Sequence, residues 1–264
     1  MKADFDIASS QYDTIFTFSN IGKAQRNRVY KHITPLLKQK KKLSILELNC
    51  GTGEDAIQFG NLGHNVIATD ISKGMIEIAN NKPHPKNVSF STLDINLISK
   101  ASFSNKFDII FSNFGGLNCL SKEQLNTFLK ESINLLNTNG KLILVIMPKN
   151  CLWERLYFSL KGNLKKAKRR NTTKSVIANV DGVGIETWYY NAEDIVSLTN
   201  GLYTLKTVKP IGLAIPPSYL ENSILAKKPL LSIFKGIDAL FTGAFWAKYA
   251  DHFLIELTKN EQQI

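Results

Sequence analysis

Apolar and polar positions follow two distinct rhythms along the chain from residue 43 onward. Short runs of aliphatic, often β-branched residues are typical of strands, and stretches with an apolar residue every three or four positions are typical of amphipathic helices. The alternation of the two predicts a mostly parallel α/β sheet. The strands predicted in this part are Leu43–Leu48, Asn65–Thr69, Val88–Leu93, Phe107–Ser112 and Lys141–Met147.

Two helices between these strands have clear start signals. Ser121 and Gln124 have the spacing of a capping box, in which each side chain bonds the backbone N–H of the other residue. An apolar stripe follows, and Asn139-Gly140 is expected to end this helix before the next strand. A second, shorter helix is predicted to begin at Ser72 and to end before Pro83.

The regular alternation stops after residue 147. The elements predicted beyond it are a hairpin of Ser175–Val180 and Ile185–Tyr190 turned by Asp181-Gly182, a helix that begins at Asn191 and ends at Asn200-Gly201, and two strands at Tyr203–Lys209 and His252–Thr258. Residues 148–190 and 210–250 are long connections, and such connections in a compact domain are usually lids or binding loops.

Composition excludes several classes of protein. Of the 264 residues, 44% are hydrophobic and 21% are charged, which is ordinary for a globular chain. The longest apolar run, Leu142–Met147, is far too short to span a membrane. Residues 1–6 contain two acids and no apolar signal region, and the three cysteines are widely spaced. We therefore expect a cytoplasmic protein with no transmembrane segment, no disulfide scaffold and no metal site.

The net charge of +11 is concentrated in two parts of the chain. Residues 1–42 hold nine basic residues and three acids, and residues 151–174 hold eight basic residues and one acid. The second group contains the dense run Lys161–Arg170, which is expected to meet a carrier protein or an anionic surface. The alternative is a solvated helix face.

Gly51 and Gly53 lie between a predicted strand and a helix. Glycine is needed where the backbone turns tightly and approaches a ligand with no Cβ in the way. Asp70 ends the next strand, and a carboxylate there can accept both hydroxyls of a ribose. Strand, turn, helix, strand and acid in this order favour nucleotide binding over a purely structural turn.

Acidic residues near the turn indicate which of two classes of nucleotide the site binds, a dinucleotide or a positively charged nucleoside. The pattern Gly51-x-Gly53-x-x-Ala56 also fits the dinucleotide fingerprint, so an NAD(P)-dependent oxidoreductase stays an alternative. Glu47, however, places a carboxylate beside the turn, where it opposes a pyrophosphate and suits a cationic ligand. Asp94 ends the third strand in a position suited to an exocyclic amine, and Glu54-Asp55 add negative charge at a helix N-terminus. The site therefore favours a positively charged nucleoside.

At these residues the chain resembles the class I S-adenosylmethionine-dependent methyltransferases, particularly their small-molecule group. Glu47–Gly53 is similar to the first motif of that family, with Asn49 where the first glycine usually stands. The segments similar to the second, third and fourth motifs are Val66–Met75, Leu93–Ile95 and Phe107–Asn113. The resemblance implies a Rossmann-like, doubly wound, mostly parallel sheet of seven strands with the last strand antiparallel, plus lid insertions.

The same resemblance implies S-adenosyl-L-methionine as the cofactor and one methyltransferase domain over residues 1–264. Residues 1–42 would form covering helices, residues 43–147 the cofactor-binding core, and residues 148–190 and 210–250 the lids over the acceptor. The implied cofactor-binding residues are Tyr12 over the cofactor, Glu47, Asn49, Gly51 and Gly53 at the methionine, Asp70 at the ribose, Ile71, Met75, Asp94 and Ile95 at the adenine, and Asn113 near the sulfonium. The alternatives are core packing for Met75 and the isoleucines, and a helix cap or surface acid for the two aspartates.

The acceptor is expected to be a small amphipathic or acidic molecule, methylated at an oxygen, nitrogen or carbon. His252 begins the last strand and is the candidate general base, with a structural hydrogen bond as the alternative role. Residues 112–118 lack the Asn/Asp-Pro-Pro-aromatic loop of nucleic-acid amino-methyltransferases, so nucleic acid is not the expected partner. The basic balance keeps a membrane-surface or RNA-associated methyltransferase as an alternative. An apolar acceptor pocket is expected, lined by Trp188, Tyr190 and Phe245 or Trp246.

Overall fold

The computed structural model describes residues 5–39, 42–180 and 182–260. Residues 1–4, 40, 41, 181 and 261–264 lie outside the described residues, and with them the first residue of the predicted hairpin turn. The strands are β1 (Ser44–Leu48), β2 (Asn65–Asp70), β3 (Val88–Thr92), β4 (Phe107–Ser112), β5 (Leu136–Ile146), β6 (Val176–Val180), β7 (Val183–Thr187), β8 (Tyr203–Ile211) and β9 (His252–Lys259). The α-helices are α1 (Phe5–Tyr12), α2 (Asn20–Leu37), α3 (Glu54–Asn61), α4 (Lys73–Asn81), α5 (Lys122–Leu135), α6 (Leu152–Leu160), α7 (Leu164–Ala167), α8 (Ala192–Leu198) and α9 (Leu230–Leu240).

Seven strands form one sheet in the order β3-β2-β1-β4-β5-β9-β8, and β6 and β7 form a separate hairpin. Neighbouring strands from β3 to β5 are parallel, whereas β9 runs antiparallel to both of its neighbours. The order reverses direction between β1 and β4, and ligands bind at such a switch point, outside the carboxyl ends of the strands. The predicted fold class, a Rossmann-like sheet with an antiparallel last strand, is confirmed.

Two hydrophobic cores cover the two faces of the sheet. On one face Val29 of α2 and Phe59 of α3 pack against β1 and β4. On the other face Phe128 of α5 and Ile195 of α8 pack against β5 and β9. The helices were predictable because their apolar residues recur with helical spacing, and the capping box of Ser121 and Gln124 is present at the start of α5.

The expectation that Asn139-Gly140 ends α5 is wrong. The helix ends at Leu135, and β5 begins directly at Leu136, which is fully buried and pairs with Phe107. Asn139 takes a left-handed backbone conformation (φ 60°) where the pairing shifts register before Lys141. Burial of Leu136 therefore pulls the chain into the sheet early, and the Asn-Gly pair forms an irregularity within the strand.

The two long connections meet on α2. Ile21 and Ala24 of that helix form a third core with residues 215–231, and Trp153 and Tyr157 of α6 pack against it. Arg28 of α2 pairs with Asp238 of α9, with Nε 3.1 Å from Oδ2. Gln25 donates to Asp251 Oδ2 over 3.0 Å. No helix in the described ranges is long and apolar enough to cross a membrane.

Candidate active site

The turn after β1 contains three residues with left-handed backbone conformations. Asn49 has φ 56°, Gly51 has φ 54° and Gly53 has φ 82°. Asparagine tolerates this region better than most residues with a side chain, so the turn forms although Asn49 replaces a glycine. A Cβ at Gly53 would lie 2.5 Å from the ring of Phe90. Gly53 is therefore required for packing α3 against β3.

Asp70 ties the end of β2 to the glycine turn. Its Oδ2 accepts a hydrogen bond from the backbone N–H of Gly51 (2.8 Å), and its Oδ1 accepts one from the N–H of Ser72 (2.9 Å). Burial raises the pKa of Asp70 above its usual value. A carboxylate oxygen has a second lone pair, so Asp70 keeps the capacity to accept ribose hydroxyls while it positions the turn.

Glu47 and Arg26 place opposite charges beside the turn, and each leaves one polar atom unpaired. The Glu47 side chain is buried, and its Oε2 has no hydrogen-bond partner among the described residues. Burial, and next the nearby carboxylate of Asp55, raises the pKa of Glu47 well above its usual range. Arg26 donates its Nε–H to Asp55 Oδ1 over 3.0 Å, and its buried Nη1 has no partner in the same described part.

Asp55, on α3, joins three elements at the centre of the site. Besides Arg26 of α2, its Oδ1 accepts from the Tyr30 hydroxyl at 2.5 Å. Its Oδ2 accepts from Asn113 Nδ2 at 2.9 Å, directly after β4. Asp55 is 4% exposed, so these charge-assisted bonds are shielded from water. Asn113 and Arg26 are thus held rigidly toward the same edge of the sheet.

The N-terminal segment is fastened over the turn by polar contacts. Asp6 of α1 accepts from Ser72 Oγ at 2.5 Å and from the N–H of Gly74 at 3.0 Å. Asp13 accepts from Thr52 Oγ1 at 2.5 Å, at the start of a π-helical turn. Between them lies Tyr12, whose ring would lie 3.5 Å from a Cβ at Gly51. The space that opens next to Gly51 therefore accommodates the Tyr12 ring.

The residues expected around an adenine follow two neighbouring strand ends. Asp70 pairs with Thr92 in register, so Ile71 and Asp94 follow adjacent strands. Met75 and Ile95 are buried. Asp94 Oδ1 accepts from the backbone N–H of Asn96 (2.9 Å) and from its Nδ2 (3.0 Å) and caps a short helix. Asp94 therefore caps this helix, and its contact with an adenine stays a prediction.

Several aromatic rings pack next to Asn113, around the ring of Phe114. The Phe114 ring packs edge-on against Phe16 (5.0 Å between centroids) and against His252 (5.7 Å). The Arg26 guanidinium lies 5.2 Å from the Phe114 centroid. His252 is buried, and its Nδ1 lies 3.3 Å from Asp251 Oδ2. His252 thus reaches the same edge of the sheet as the cofactor residues.

The basic run Lys161–Arg170 was expected to lie on the surface, but part of it is buried. Arg170 is buried and donates to Glu154 Oε1 (2.7 Å) and Asp251 Oδ1 (2.7 Å), and Arg169 donates to Glu154 Oε2 (2.9 Å). The expectation of a partner contact through this run is therefore wrong for Arg170, because buried carboxylates neutralise its charge. The lysines of the run are exposed; they are Lys161, Lys165, Lys166 and Lys168.

Tyr190 does not line an acceptor pocket. It is buried in the core beneath α5 and donates its hydroxyl to the carbonyl of Leu120 at 2.6 Å, and Trp188 packs against the same core. Phe245 is 59% exposed and packs against Trp246. Of these four aromatic residues, Tyr190 and Trp188 therefore belong to the core, and Phe245 and Trp246 belong to an outer surface.

Comparison with known proteins agrees with this geometry. Residues 45–140 match a family model described as a methyltransferase domain. Over these residues the chain carries a methyltransferase domain. A malonyl-[acyl-carrier protein] O-methyltransferase of Bacillus anthracis is 30% identical over 138 residues, which cover 51% of this chain and 49% of that protein. The chain thus spans about half the length of this curated relative.

Solved structures extend the likeness of the methyltransferase fold beyond the matched core. A putative S-adenosylmethionine-dependent methyltransferase from Listeria monocytogenes superposes with a TM-score of 0.60 at 15% identity, covering 88% of this chain and 98% of that one. Magnesium protoporphyrin IX methyltransferase from Synechocystis PCC 6803, with bound SAH, superposes with a TM-score of 0.58 at 14% identity, covering 91% and 86%. At these identities the likeness establishes the fold.

The residues of this methyltransferase domain fit S-adenosylmethionine. The cofactor carries an ammonium and a carboxylate on its methionine part. Among the described residues, the site offers an unpaired buried acceptor, Glu47 Oε2, and an unpaired buried donor, Arg26 Nη1. Such atoms are costly unless a ligand pairs them. Sequence reasoning missed Arg26, Tyr30 and the central role of Asp55. One signal was available, because Arg26 shares the helical stripe of the apolar residues Val29, Ile33 and Leu37.

Proposed function

We propose that the chain transfers a methyl group from S-adenosylmethionine to a small-molecule acceptor with an acidic or amphipathic character. The observation that carries this proposal is the pair of unsatisfied buried atoms, Glu47 Oε2 and Arg26 Nη1, beside a glycine turn. A zwitterionic methionine end satisfies both, whereas the pyrophosphate of a dinucleotide is repelled by Glu47 and Asp55. The same edge of the sheet holds Asn113 and His252, so donor and acceptor have adjacent positions.

S-adenosylmethionine brings a methyl group that is already activated toward attack. The chain then has to bind the methyl donor and the acceptor, orient them toward each other and exclude water. These contributions supply most of the rate enhancement in such transfers. Asp55 fixes Asn113, and Tyr12 covers the glycine turn. We propose the implied positions for the remaining cofactor residues, with Asp70 at the ribose and Ile71 and Met75 at the adenine.

His252 is the proposed general base. Its Nδ1 lies 3.3 Å from Asp251 Oδ2 without a hydrogen bond between them, and we propose that the imidazole takes a proton from an acceptor hydroxyl or amine. Burial alone would raise the pKa of Asp251, but His252 and Arg170 hold it below its usual range, so the carboxylate stays charged beside the imidazole. An acceptor carboxylate needs no such base, because it is already deprotonated at neutral pH.

A cationic cavity supports the acidic character of the acceptor. A space of about 220 Å³ opens between the end of β5, α6 and α7. Its lining includes the exposed Arg155 and Lys168, Lys149, which pairs with Asp194, and the buried ion pair of Arg170 with Glu154. Arg170 also bonds Asp251, which faces His252. We assign this cavity to the anionic group of the acceptor. The name of the Bacillus anthracis relative, a malonyl-[acyl-carrier protein] O-methyltransferase, supports an acceptor with an acidic acyl group.

We further propose one domain in which residues 1–42 cover the cofactor, residues 43–147 bind it, and residues 148–190 and 210–250 close over the acceptor. The contacts of Asp6 and Asp13 with the turns after β2 and β1 support the first assignment. We also propose a cytoplasmic site of action. The free, buried thiols of Cys50 and Cys151 suit a reducing compartment.

Calorimetric titration tests the cofactor assignment. We expect S-adenosylhomocysteine to bind the wild-type chain in the micromolar range and NADH not to bind. Transfer of a radiolabelled methyl group to malonyl coenzyme A, malonyl carrier protein and neutral acyl thioesters then tests the acceptor class, and the malonyl thioesters should be preferred. NADH binding in place of S-adenosylhomocysteine would make the chain an oxidoreductase, and transfer only to neutral thioesters would remove the acidic acceptor.

A further inference from the structure

The helix that follows β5 exposes its leucines. Leu152, Leu156 and Leu160 recur at four-residue spacing along α6, and Leu160 is 80% exposed. The opposite side of α6 is occupied, since Glu154 is buried and Trp153 and Tyr157 pack on the third core. These leucines therefore form an unpartnered apolar stripe, which is unusual on a monomer surface.

A second stripe of the same kind lies on α9. Ile233, Ile237 and Leu240 are exposed on one side of that helix, and Leu240 is 79% exposed. The inner side is anchored by Leu231 in the third core and by the buried ion pair of Asp238 with Arg28. The orientation of α9 is thus fixed, and the outward position of its isoleucines follows from it.

The two stripes belong to one surface. Trp153 of α6 packs edge-on against Phe234 of α9, with ring centroids 5.6 Å apart, so the helices lie side by side. Leu156 and Ile237 each follow one of these rings by three residues, which places them about 60° around their helices from the contact. The stripes flank the seam between the helices. We call this surface, made of the exposed aliphatic residues of α6 and α9, the apolar face.

Charge around the apolar face has one sign. The exposed basic residues of the two connections adjoin both helices; they are Lys161, Lys165, Lys166 and Lys168 near α6, and Lys227, Lys228 and Lys235 near α9. Residues 151–174 and 222–249 contain two acids, Glu154 and Asp238, and both are buried in ion pairs. The surface therefore presents aliphatic side chains and lysines without an exposed carboxylate from these segments.

We propose that the apolar face docks the protein on an anionic lipid bilayer. Amphipathic helices with aliphatic residues on the exposed side and lysines at the margins lie in the membrane interface, where leucines enter the acyl boundary and lysines meet anionic headgroups. An acidic protein would satisfy the lysines and leave the leucines in water. A two-fold contact between copies would place lysines against lysines. The bilayer satisfies both features at once.

Docking in this way brings the acceptor cavity to the membrane. Lys168 lines the cavity and also belongs to the lysines beside the apolar face, and α6 supplies Glu154 and Arg155 to the cavity wall. An amphipathic acceptor held in the bilayer would therefore reach the cavity by a short path. This orientation rests on the proposed function, whereas the binding of lipid does not.

Vesicle co-sedimentation tests the docking with the full-length chain. We expect sedimentation with vesicles of phosphatidylcholine mixed with phosphatidylglycerol, little with phosphatidylcholine alone, and release at high salt. The variants Leu156→Ser/Ile237→Ser and Lys165→Glu/Lys166→Glu should each lower the bound fraction on anionic vesicles by about tenfold. Matched variants at exposed residues elsewhere, Leu62→Ser/Leu97→Ser and Lys122→Glu/Lys130→Glu, should bind as wild type does.

Affinity for S-adenosylhomocysteine, measured by calorimetry on the same variants, should stay unchanged and shows that they are folded. Loss of cofactor binding by the wild-type chain would contradict the proposed function and leave the docking to be decided by the vesicles. Absence of wild-type binding to anionic vesicles, or equal loss in the matched variants, would overturn the docking. So would a dimer that dissociates in Leu156→Ser/Ile237→Ser without any vesicle binding, or capture of an acidic carrier protein alone.

Discussion

The backbone N–H of Gly51 donates to Asp70 Oδ2 over 2.8 Å, so the acid that ends β2 also holds the turn that follows β1. The same carboxylate accepts from Ser72 at the start of α4. Asp70 therefore organises the site before any ligand arrives. A substitution here changes both the ribose contact and the shape of the turn.

Asp70→Ala should weaken S-adenosylhomocysteine binding at least tenfold. Loss of hydrogen bonds to a charged group costs about 1.5–3 kcal/mol each. Calorimetry gives the affinity, and thermal melting should also show a lower melting temperature because two backbone donors lose their partner. Asp94→Ala is the comparison at the next strand end and should affect binding less, because Asp94 Oδ1 is engaged in capping. Equal effects of the two variants would contradict the ribose role of Asp70.

Glu47→Gln should stabilise the protein without ligand and weaken cofactor binding. The folded-state pKa of Glu47 is raised, mainly by burial and next by Asp55. Stability from this group is therefore fully present below the unfolded-state pKa, near 4.3, and is lost as pH rises through the folded-state value. Removing the charge restores that stability at neutral to alkaline pH, and the difference from wild type should shrink toward pH 5 in chemical denaturation.

Glu47→Gln should weaken cofactor binding, although it stabilises the protein without ligand. An ammonium that meets Glu47 favours its charged form, so S-adenosylhomocysteine should release protons on binding to wild type and fewer on binding to Glu47→Gln. Titrations in two buffers of different ionisation enthalpy measure this release. The affinity of the variant should fall by about tenfold, the usual loss for one charge-assisted hydrogen bond. An unchanged affinity would remove Glu47 from the methionine site.

Arg26→Met should destabilise the fold by about 3–5 kcal/mol, because the buried carboxylate of Asp55 loses the cation with which it pairs. Urea denaturation measures the loss. Lys23→Met on the exposed side of the same helix is the control and should change stability by less than about 0.5 kcal/mol. In the double variant Arg26→Met/Asp55→Asn, part of the loss should be recovered. A loss equal to the sum of the two single losses would show that the pair is not coupled.

Gly51→Ala and Gly53→Ala should separate ligand access from folding. Each places a Cβ at a positive φ, which costs about 1–2 kcal/mol. At Gly53 the new atom also meets Phe90 at 2.5 Å, so its melting temperature should fall further. At Gly51 the new atom would lie 3.5 Å from the Tyr12 ring, an ordinary van der Waals contact, so this variant should stay folded. We expect it to lose cofactor affinity because the Cβ takes up space beside the turn that the ligand needs. The reverse order of melting temperatures would contradict this assignment.

The sheet was predictable because its strands are short apolar runs bounded by turn residues and charged residues. β4, for example, was predicted at both ends, Phe107 and Ser112. The Asn139-Gly140 error has the opposite origin. Local turn chemistry favoured a helix end there, while the burial of Leu136 beside Phe107 depends on a strand thirty residues earlier. Long-range pairing of this kind leaves no local mark.

The residues of the site also differ in whether a local pattern in the sequence or a long-range contact determines their positions. Glu47 lies near the end of β1, Asp70 ends β2 and Asn113 follows β4, so all three could be found by their positions relative to predicted strands. Arg26 reaches the pocket from a helix nearly thirty residues before Asp55, and no spacing rule connects the two. Tyr190 was misplaced because an aromatic residue in a long connection was taken for a pocket wall, whereas its hydroxyl finds the buried carbonyl of Leu120.

Three neighbouring positions on α2 face three different parts of the molecule. Gln25 bonds Asp251 beside His252, Arg26 bonds Asp55 in the cofactor site, and Arg28 bonds Asp238 of α9. A rigid helix cannot adjust one of these contacts without moving the other two. Cofactor binding and the packing of both long connections on α2 are therefore reciprocally linked. If a bound ligand stabilises the position of α2, the connections packed on that helix strengthen ligand binding by the same free energy.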